Sequence, residues 1–120
     1  MARTVLTIHS LDEKNTFSAA FTTLNQAINA SDGAEFEMKD RDDKYLILVQ
    51  NTATSAKNVT VKAGNGLQGV ADMTTSLAAS SYAFVSLESG LFKNVSGTDK
   101  GKVIITGGSA DIKVAVFKLP

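Results

Sequence analysis

The sequence contains no cysteine, one histidine and one proline in 120 residues. Without cysteine the chain can form neither a disulfide framework nor a thiolate metal site, so packing must supply its stability. His9, with no second histidine, no cysteine and no identifiable serine partner, cannot complete a catalytic triad or a zinc site within this chain. Disulfide-stapled scaffolds are therefore excluded, and His9 is interpreted as an ordinary polar residue at a strand end.

An excess of either charge is also missing, because twelve basic and twelve acidic side chains cancel. The chain therefore lacks the global positive field that gives sequence-independent affinity for nucleic acid, and we expect no nucleic-acid partner. No apolar run approaches the length of a membrane span, and residues 1–9 lack a signal-peptide pattern. We expect a protein that is made in the cytoplasm, is not secreted and has no membrane partner.

What the sequence does have is a series of short β-prone runs. At 120 residues, 43% apolar, the chain is predicted to fold as one domain over residues 1–120 with a short N-terminal arm of about residues 1–6. Tyr45 to Val49 and Ser81 to Leu87 are predicted to be strands covered on both faces. Lys102 to Thr106 and Asp111 to Phe117 are predicted strands around a tight glycine turn. Seven or eight such strands predict a mainly β fold, an antiparallel β-sandwich or jelly-roll-like barrel.

One segment has helical spacing. Phe17, Phe21, Leu24 and Ile28 stand at i, i+4, i+7 and i+11, which favours a short helix near residues 16–28. The threonines and asparagines between them are weak helix formers and favour irregular extended chain instead. The sequence leaves both alternatives open.

Two segments raise the possibility of a ligand site. Residues 64–69 match G-x-G-x-x-G after a strand, but residues 70–80 have no helical period, so no helix dipole would receive a phosphate and a surface loop is favoured. Asp40, Asp42 and Asp43 could offer oxygens to Ca²⁺, yet the spacing lacks the later glutamate and central glycine of an EF-hand loop. A solvated chain reversal balanced by Arg41 and Lys44 is favoured there.

The acidic residues are concentrated in turns, where carboxylates are normally solvated. General acid–base catalysis needs carboxylates in a shielded cleft with separated pKa values. We therefore predict that the protein is not an enzyme and has no cofactor, metal or small-molecule substrate. Tyr45, Phe84 and Phe117 lie within apolar strands and are predicted to belong to the core rather than to a stacking platform.

Six segments distributed over most of the chain form a recognisable combination. They are Asp32-Gly33-Ala34-Glu35-Phe36, Tyr45-Leu46-Ile47-Leu48-Val49-Gln50-Asn51, Val59-Thr60-Val61-Lys62-Ala63-Gly64, Gly69-Val70-Ala71-Asp72, Leu87-Glu88-Ser89-Gly90-Leu91-Phe92-Lys93 and Val114-Ala115-Val116-Phe117-Lys118-Leu119. With its Met-Ala-x-Thr start, the chain resembles small head decoration (capsid cement) proteins of tailed bacteriophages. The resemblance implies a non-enzymatic virion protein on the outer capsid surface that bridges major capsid subunits and stabilises the head, commonly as a homotrimer.

Two sets of residues are candidates for the interfaces of such a protein. The β-rich arm, with Arg3, Thr4, Val5 and Leu6, is expected to add a strand to a capsid neighbour or lie along it. Leu91 and Phe92, taken as exposed apolar strand residues, are expected to form the trimer contact. The alternative function is a carbohydrate-binding or adhesion β-sandwich module of a phage tail or fibre, which would need exposed aromatics or ion-holding loop acids.

Overall fold

A computed structural model describes residues 3–11, 13–15, 26–69 and 71–120 of the chain. In these residues the chain forms ten strands, a 3₁₀ turn and one short helix. The strands are β1 (Thr4–Val5), β2 (Ile8–Ser10), β3 (Gln26–Ala27), β4 (Ala34–Glu37), β5 (Tyr45–Asn51), β6 (Lys57–Val61), β7 (Met73–Leu77), β8 (Tyr82–Val85), β9 (Lys102–Thr106) and β10 (Ile112–Lys118); the 3₁₀ turn is Asp42–Lys44 and the helix α1 is Ser89–Phe92. The predicted mainly β fold is confirmed.

The strands form two sheets. The first sheet has the order β1-β4-β9-β6-β7, and the second has the order β2-β10-β5-β8 with β3 also paired to β10. Most neighbours are antiparallel, but β1 runs parallel to β4 and β2 runs parallel to β10. The two sheets enclose a common core, as expected for a β-sandwich.

The core follows from alternation along the strands. In β4, Ala34 and Phe36 are buried while Glu35 and Glu37 lie on the other face. In the second sheet, Ile47 pairs with Val116 and Val49 pairs with Val114, and all four are buried. Full burial of a side chain of this size stabilises the fold by about 1.5–3 kcal/mol.

Strand β5 is the centre of the second sheet. It pairs with β10 on one side and β8 on the other, and its opposite face also carries a buried residue, Leu48, which pairs with Ala115. The prediction that Tyr45 to Val49 is covered on both faces is confirmed. Such double coverage explains why this run is continuously apolar rather than alternating.

Two of the predicted turns lie on connections that carry the chain from one sheet to the other. The acidic turn leads from β4 in the first sheet to β5 in the second, and residues 107–111 lead from β9 in the first sheet to β10 in the second. Gly108 has φ +66°, which favours glycine at this turn. The predicted strands around the glycine pair are confirmed, but they do not pair with each other because the turn crosses the sandwich.

The N-terminal residues close one side of the sandwich. β1 belongs to the first sheet and β2 to the second, while Leu6 between them is 4% exposed and packs in the core. The Thr4 and Leu6 amides donate to the Gly33 and Glu35 carbonyls at 3.0 and 2.9 Å. From residue 3 onward the segment predicted as an arm is thus part of the sandwich; residues 1 and 2 lie outside the described residues.

The predicted helix near residues 16–28 falls mainly on residues 16–25, which lie outside the described residues. The end of that range is extended, because Gln26 and Ala27 form β3 against Val114 and Lys113. Ile28 is buried in the core. The one helix of the described residues, α1, lies where Leu91 and Phe92 were expected to belong to a strand, so that expectation is wrong.

Strand β8 differs from its prediction in burial. It lies at an edge of the second sheet, and Tyr82 and Phe84 are 60% and 64% exposed. Ala83 and Val85, on the other face, pack against the core. The predictions that this strand is covered on both faces and that Phe84 belongs to the core are therefore wrong, whereas Tyr45 is buried as expected.

Candidate interaction surfaces

The first candidate set, Arg3 to Leu6, lies at the edge of the first sheet. Leu6 is part of the core and is not available to a partner without unfolding this edge. Val5 points the other way and is 70% exposed. β1 ends the first sheet, and its outer side is partly covered by the Gln26 side chain, which donates to the Val5 carbonyl at 3.4 Å and accepts from the Thr7 amide at 2.6 Å. Of the four residues, Val5 is the apolar side chain best placed for a contact.

Arg3 is held by a charge network on the outer face of the first sheet. Its guanidinium donates to both carboxylate oxygens of Asp99, at 3.0 and 3.2 Å, and to Glu35 at 3.2 Å. Lys102 Nζ lies 2.8 Å from the other oxygen of Glu35. This bidentate arrangement fixes the N-terminal strand to β4 and to the loop before β9.

The network changes the ionisation of Glu35. Partial burial alone would raise the pKa of this carboxyl, but hydrogen bonds from Lys102 and Arg3 outweigh burial and hold the pKa below its ordinary value. Glu35 therefore stays charged through the neutral and mildly acidic range. Its charge is fully compensated by two cations, which is typical of a structural pair rather than a catalytic acid.

The second candidate set, Leu91 and Phe92, lies in α1. Phe92 packs against the core, and both side chains are half-buried. The Leu91 carbonyl accepts a hydrogen bond of 2.9 Å from the Gly64 amide, which follows β6. Since β4 and β9 separate β6 from β1 in the first sheet, the structure places the two candidate sets on different parts of the molecule.

The glycine loop is explained by packing. A Cβ on Gly64 would lie 2.5 Å from the Lys93 carbonyl oxygen, and one on Gly69 would lie 1.9 Å from the Gly64 carbonyl oxygen. Asn65 bridges the loop to the segment after α1 by accepting from the Val95 amide at 2.7 Å and donating to the Ser96 carbonyl at 3.0 Å. Residues 64–69 are thus glycine-rich because backbones meet there, and the next described element is β7.

The acidic turn uses its carboxylates within the protein. Asp42 accepts from the Ser89 amide at 2.8 Å, Asp43 pairs with Arg41, and Asp40 pairs with Lys118. No group of three or more potential metal ligands occurs in the part of the chain that the structure describes. Asp42 connects this turn to α1, a contact that the sequence did not predict.

Sequence reasoning missed an aromatic face on the second sheet. Tyr82 and Phe84 lie two residues apart on β8 and share its outer face. Gln50 Nε2 donates to the Tyr82 hydroxyl at 3.0 Å, and Phe84 pairs across the sheet with Leu48. The sequence signal for this surface is the composition of residues 73–87, which contain no charged side chain.

Strands β7 and β8, which follow each other in the chain but belong to different sheets, leave the sandwich open on one side. β7 and β8 are the last strands of their sheets on this side, and a cleft of about 180 Å³ lies between them. The lining is apolar apart from one threonine: Val49, Val59, Val61, Met73, Thr75, Ala83, Phe84 and Val85. We call this side, formed by the uncharged strands β7 and β8, the open edge. It lies opposite the N-terminal side, which we call the closed edge.

No helix of the described residues has the length and hydropathy that a membrane crossing requires. A comparison of the chain with protein-family models, curated proteins and solved structures found no match. The surfaces described above are therefore the basis for any inference about function.

Proposed function

We propose that this protein is a non-enzymatic virion structural protein, a head decoration protein that binds the outer surface of a tailed-phage capsid and bridges major capsid subunits. The observation that carries the proposal is the distribution of charge and apolar surface. The acids singled out in the sequence are paired with cations or with the backbone. Exposed apolar side chains occur at both ends of the first sheet, on β8 and in loops, where Leu67 and Val95 are exposed. Such a surface suits protein contacts better than chemistry.

The physical logic is multivalency. In the proposed homotrimer, each copy contacts a capsid subunit, so that after the first contact the others form within one complex. Individually modest contacts then give long retention on the head. The sequence resemblance to decoration proteins supports this arrangement.

The proposed capsid contact is the edge of β1. Val5 presents an exposed apolar side chain beside the fixed Arg3, and a capsid strand that pairs with β1 would displace the Gln26 side chain from the Val5 carbonyl. The proposed trimer contact involves Leu91, which is half-buried in the isolated chain, together with Phe92 behind it. Both contacts use surfaces that are rigidly attached to the sandwich.

The test is retention on heads of the encoding phage from which the protein has been omitted. Val5→Lys should lower occupancy about tenfold or more, because it places a charge in an apolar contact. Thr54→Lys, the same change in kind at an exposed threonine of the β5–β6 turn, should bind as the original chain does. Failure of the unmodified chain to bind such heads would remove the decoration function, and equal binding of both variants would remove β1 from the interface.

A glycan-binding module is the second candidate, and the aromatic face favours it. Tyr82 and Phe84 present two exposed rings side by side, and a sugar ring can stack its apolar face on such rings. A glycan array measured with and without Ca²⁺ tests this function. Specific binding that is lost in both Tyr82→Ala and Phe84→Ala would support it, and an array without signal would contradict it.

A further inference from the structure

Strand β7, at the end of the first sheet opposite β1, lacks the features that usually protect an exposed edge. Natural edge strands carry charges, proline or a bulge, or are very short. β7 has five residues, its first four are exposed, and it pairs with β6 one residue to one residue without a bulge. The fifteen residues 73–87, which include both strands of the open edge, contain no charged residue, no proline and no glycine.

Alternate backbone amides and carbonyls of β7 point away from β6, since an antiparallel strand uses every second residue for each neighbour. In the isolated chain the outer groups face solvent, because β7 ends the order of the first sheet. They form a row of donors and acceptors suited to one more strand. A partner strand that adds to β7 would hydrogen-bond to these groups in place of water.

The sequence of β7 is complementary to itself. When two copies run antiparallel about a twofold axis at Thr75, Met73 faces Leu77 of the other copy and Thr74 faces Ser76. Apolar side chains then meet apolar ones, and hydroxyls meet hydroxyls. The absence of charge matters here because a twofold axis places identical groups near each other, and like charges would repel.

We propose that a second copy of this chain occupies the open edge through antiparallel pairing of β7 with β7, centred on Thr75. The pairing joins the first sheets of two copies into one continuous sheet. Met73 and Thr75 line the cleft of the open edge, so the second copy covers one side of the cleft, with its Leu77 still buried in its own core. The proposal uses none of the residues assigned to the capsid or trimer contacts and does not depend on the decoration function.

Cross-linking in this cysteine-free chain tests the pairing and its register. Directly opposed residues of antiparallel strands have Cα atoms about 4.5–5.5 Å apart, within the range of a disulfide. Thr75→Cys should therefore give a covalent dimer on mild oxidation, at least about tenfold faster than Ser76→Cys, whose equivalent positions lie beyond about 7 Å. Thr54→Cys, on the exposed β5–β6 turn and outside the proposed strand pairing, is the control for random collision.

Charge complementation tests the same contact without a covalent bond. Thr75→Lys and Thr75→Glu should each weaken association in sedimentation velocity, and an equal mixture should restore it by pairing lysine with glutamate. Thermal unfolding of each variant verifies that it is folded. Cross-linking of Thr75→Cys no faster than of Thr54→Cys, or mixtures that associate no better than the separate variants, would overturn the proposal. A different partner at this edge would give that same negative result with the isolated chain.

Discussion

The two sides of the sandwich are built differently. On one side, residues 3–10 pass from the first sheet to the second, insert Leu6 into the core, and are fixed by the Arg3 network. Gln26 adds a further link, since its side chain accepts from the Thr7 amide at 2.6 Å. On the other side, β7 and β8 end their sheets with a cleft between them and no charge on either strand.

This difference shows that the sandwich is closed where the segment that crosses between the sheets places a buried side chain, Leu6, between them. It is open at β7 and β8, which are joined only at one end by a turn that crosses between the sheets. The closed edge depends on the buried side chain of Leu6 and on the ion pairs of Arg3. The open edge depends on the buried Asn51 side chain, which donates a hydrogen bond to the end of β7, and on any partner that covers the apolar lining of the cleft. The closed edge should therefore respond strongly to mutation and acid, while the open edge should respond to partners.

The largest effect on stability is expected at Leu6. Leu6→Ala should lower the free energy of unfolding by about 2–4 kcal/mol, because it leaves a cavity in the core. Met73→Ala, a change of similar size at the partly exposed lining of the open edge, should cost less than about 1 kcal/mol in the monomer. Urea unfolding at low protein concentration measures both, and equal losses would remove the distinction between the edges.

The next effect is expected at Asn51, whose side chain connects the β5–β6 turn to the end of β7. The fully buried Asn51 side chain donates to the carbonyls of Ser55 and Leu77 at 2.9 and 3.1 Å and accepts from the Ala53 amide at 2.9 Å. Asn51→Ala should destabilise the fold by about 2–3 kcal/mol, since buried polar groups lose their partners. Asn58→Ala, at an exposed position of β6, is the control and should be close to neutral; a similar loss there would show that the buried Asn51 contacts are not special.

Acid should loosen the closed edge first. Because the folded-state pKa of Glu35 lies below its ordinary value of 4.5, its contribution is fully present above that pH and is lost as the pH falls through the folded value. Hydrogen exchange should show the Thr4 and Leu6 amides losing protection in acid before the amides of β6 that pair with β7. Glu35→Gln should cost about 1 kcal/mol at neutral pH and should flatten this dependence.

The outcome that contradicts this assignment is an unchanged acid response in Glu35→Gln. Asp43→Asn is the matched control, because its exposed partner Arg41 lies on the same turn and joins no strands. That variant should leave the protection of the Thr4 and Leu6 amides as it was.

The smallest effect is expected in the turn between β7 and β8. Ser80 has φ +57°, a conformation that glycine adopts without strain. Ser80→Gly should raise the free energy of unfolding by up to about 1 kcal/mol, whereas Ser86→Gly, after β8, should not be stabilising. Thermal unfolding compares the two, and destabilisation by Ser80→Gly would show that its side chain matters more than its backbone.

Much of the fold was predictable from local pattern. The continuous run at β5 and the alternation at β4 and β6 follow from which faces are covered, and residue types report that directly. The wrong predictions concern elements whose residue types fit two environments: Leu91 and Phe92 suit a helix or a strand, and Tyr82 and Phe84 suit a core or an exposed face.

The sequence by itself determined a cysteine-free, charge-balanced β-sandwich, because composition and periodicity reflect burial along each strand. Only the tertiary structure decided which strands are edges, since edge position depends on pairing between segments far apart in sequence. It placed Arg3 beside Glu35 and Asp99, and it made the predicted N-terminal arm part of the sandwich from residue 3 onward. It also left β7 and β8 at the ends of their sheets. The surfaces proposed for partners follow from these long-range pairings, and local pattern carries no record of them.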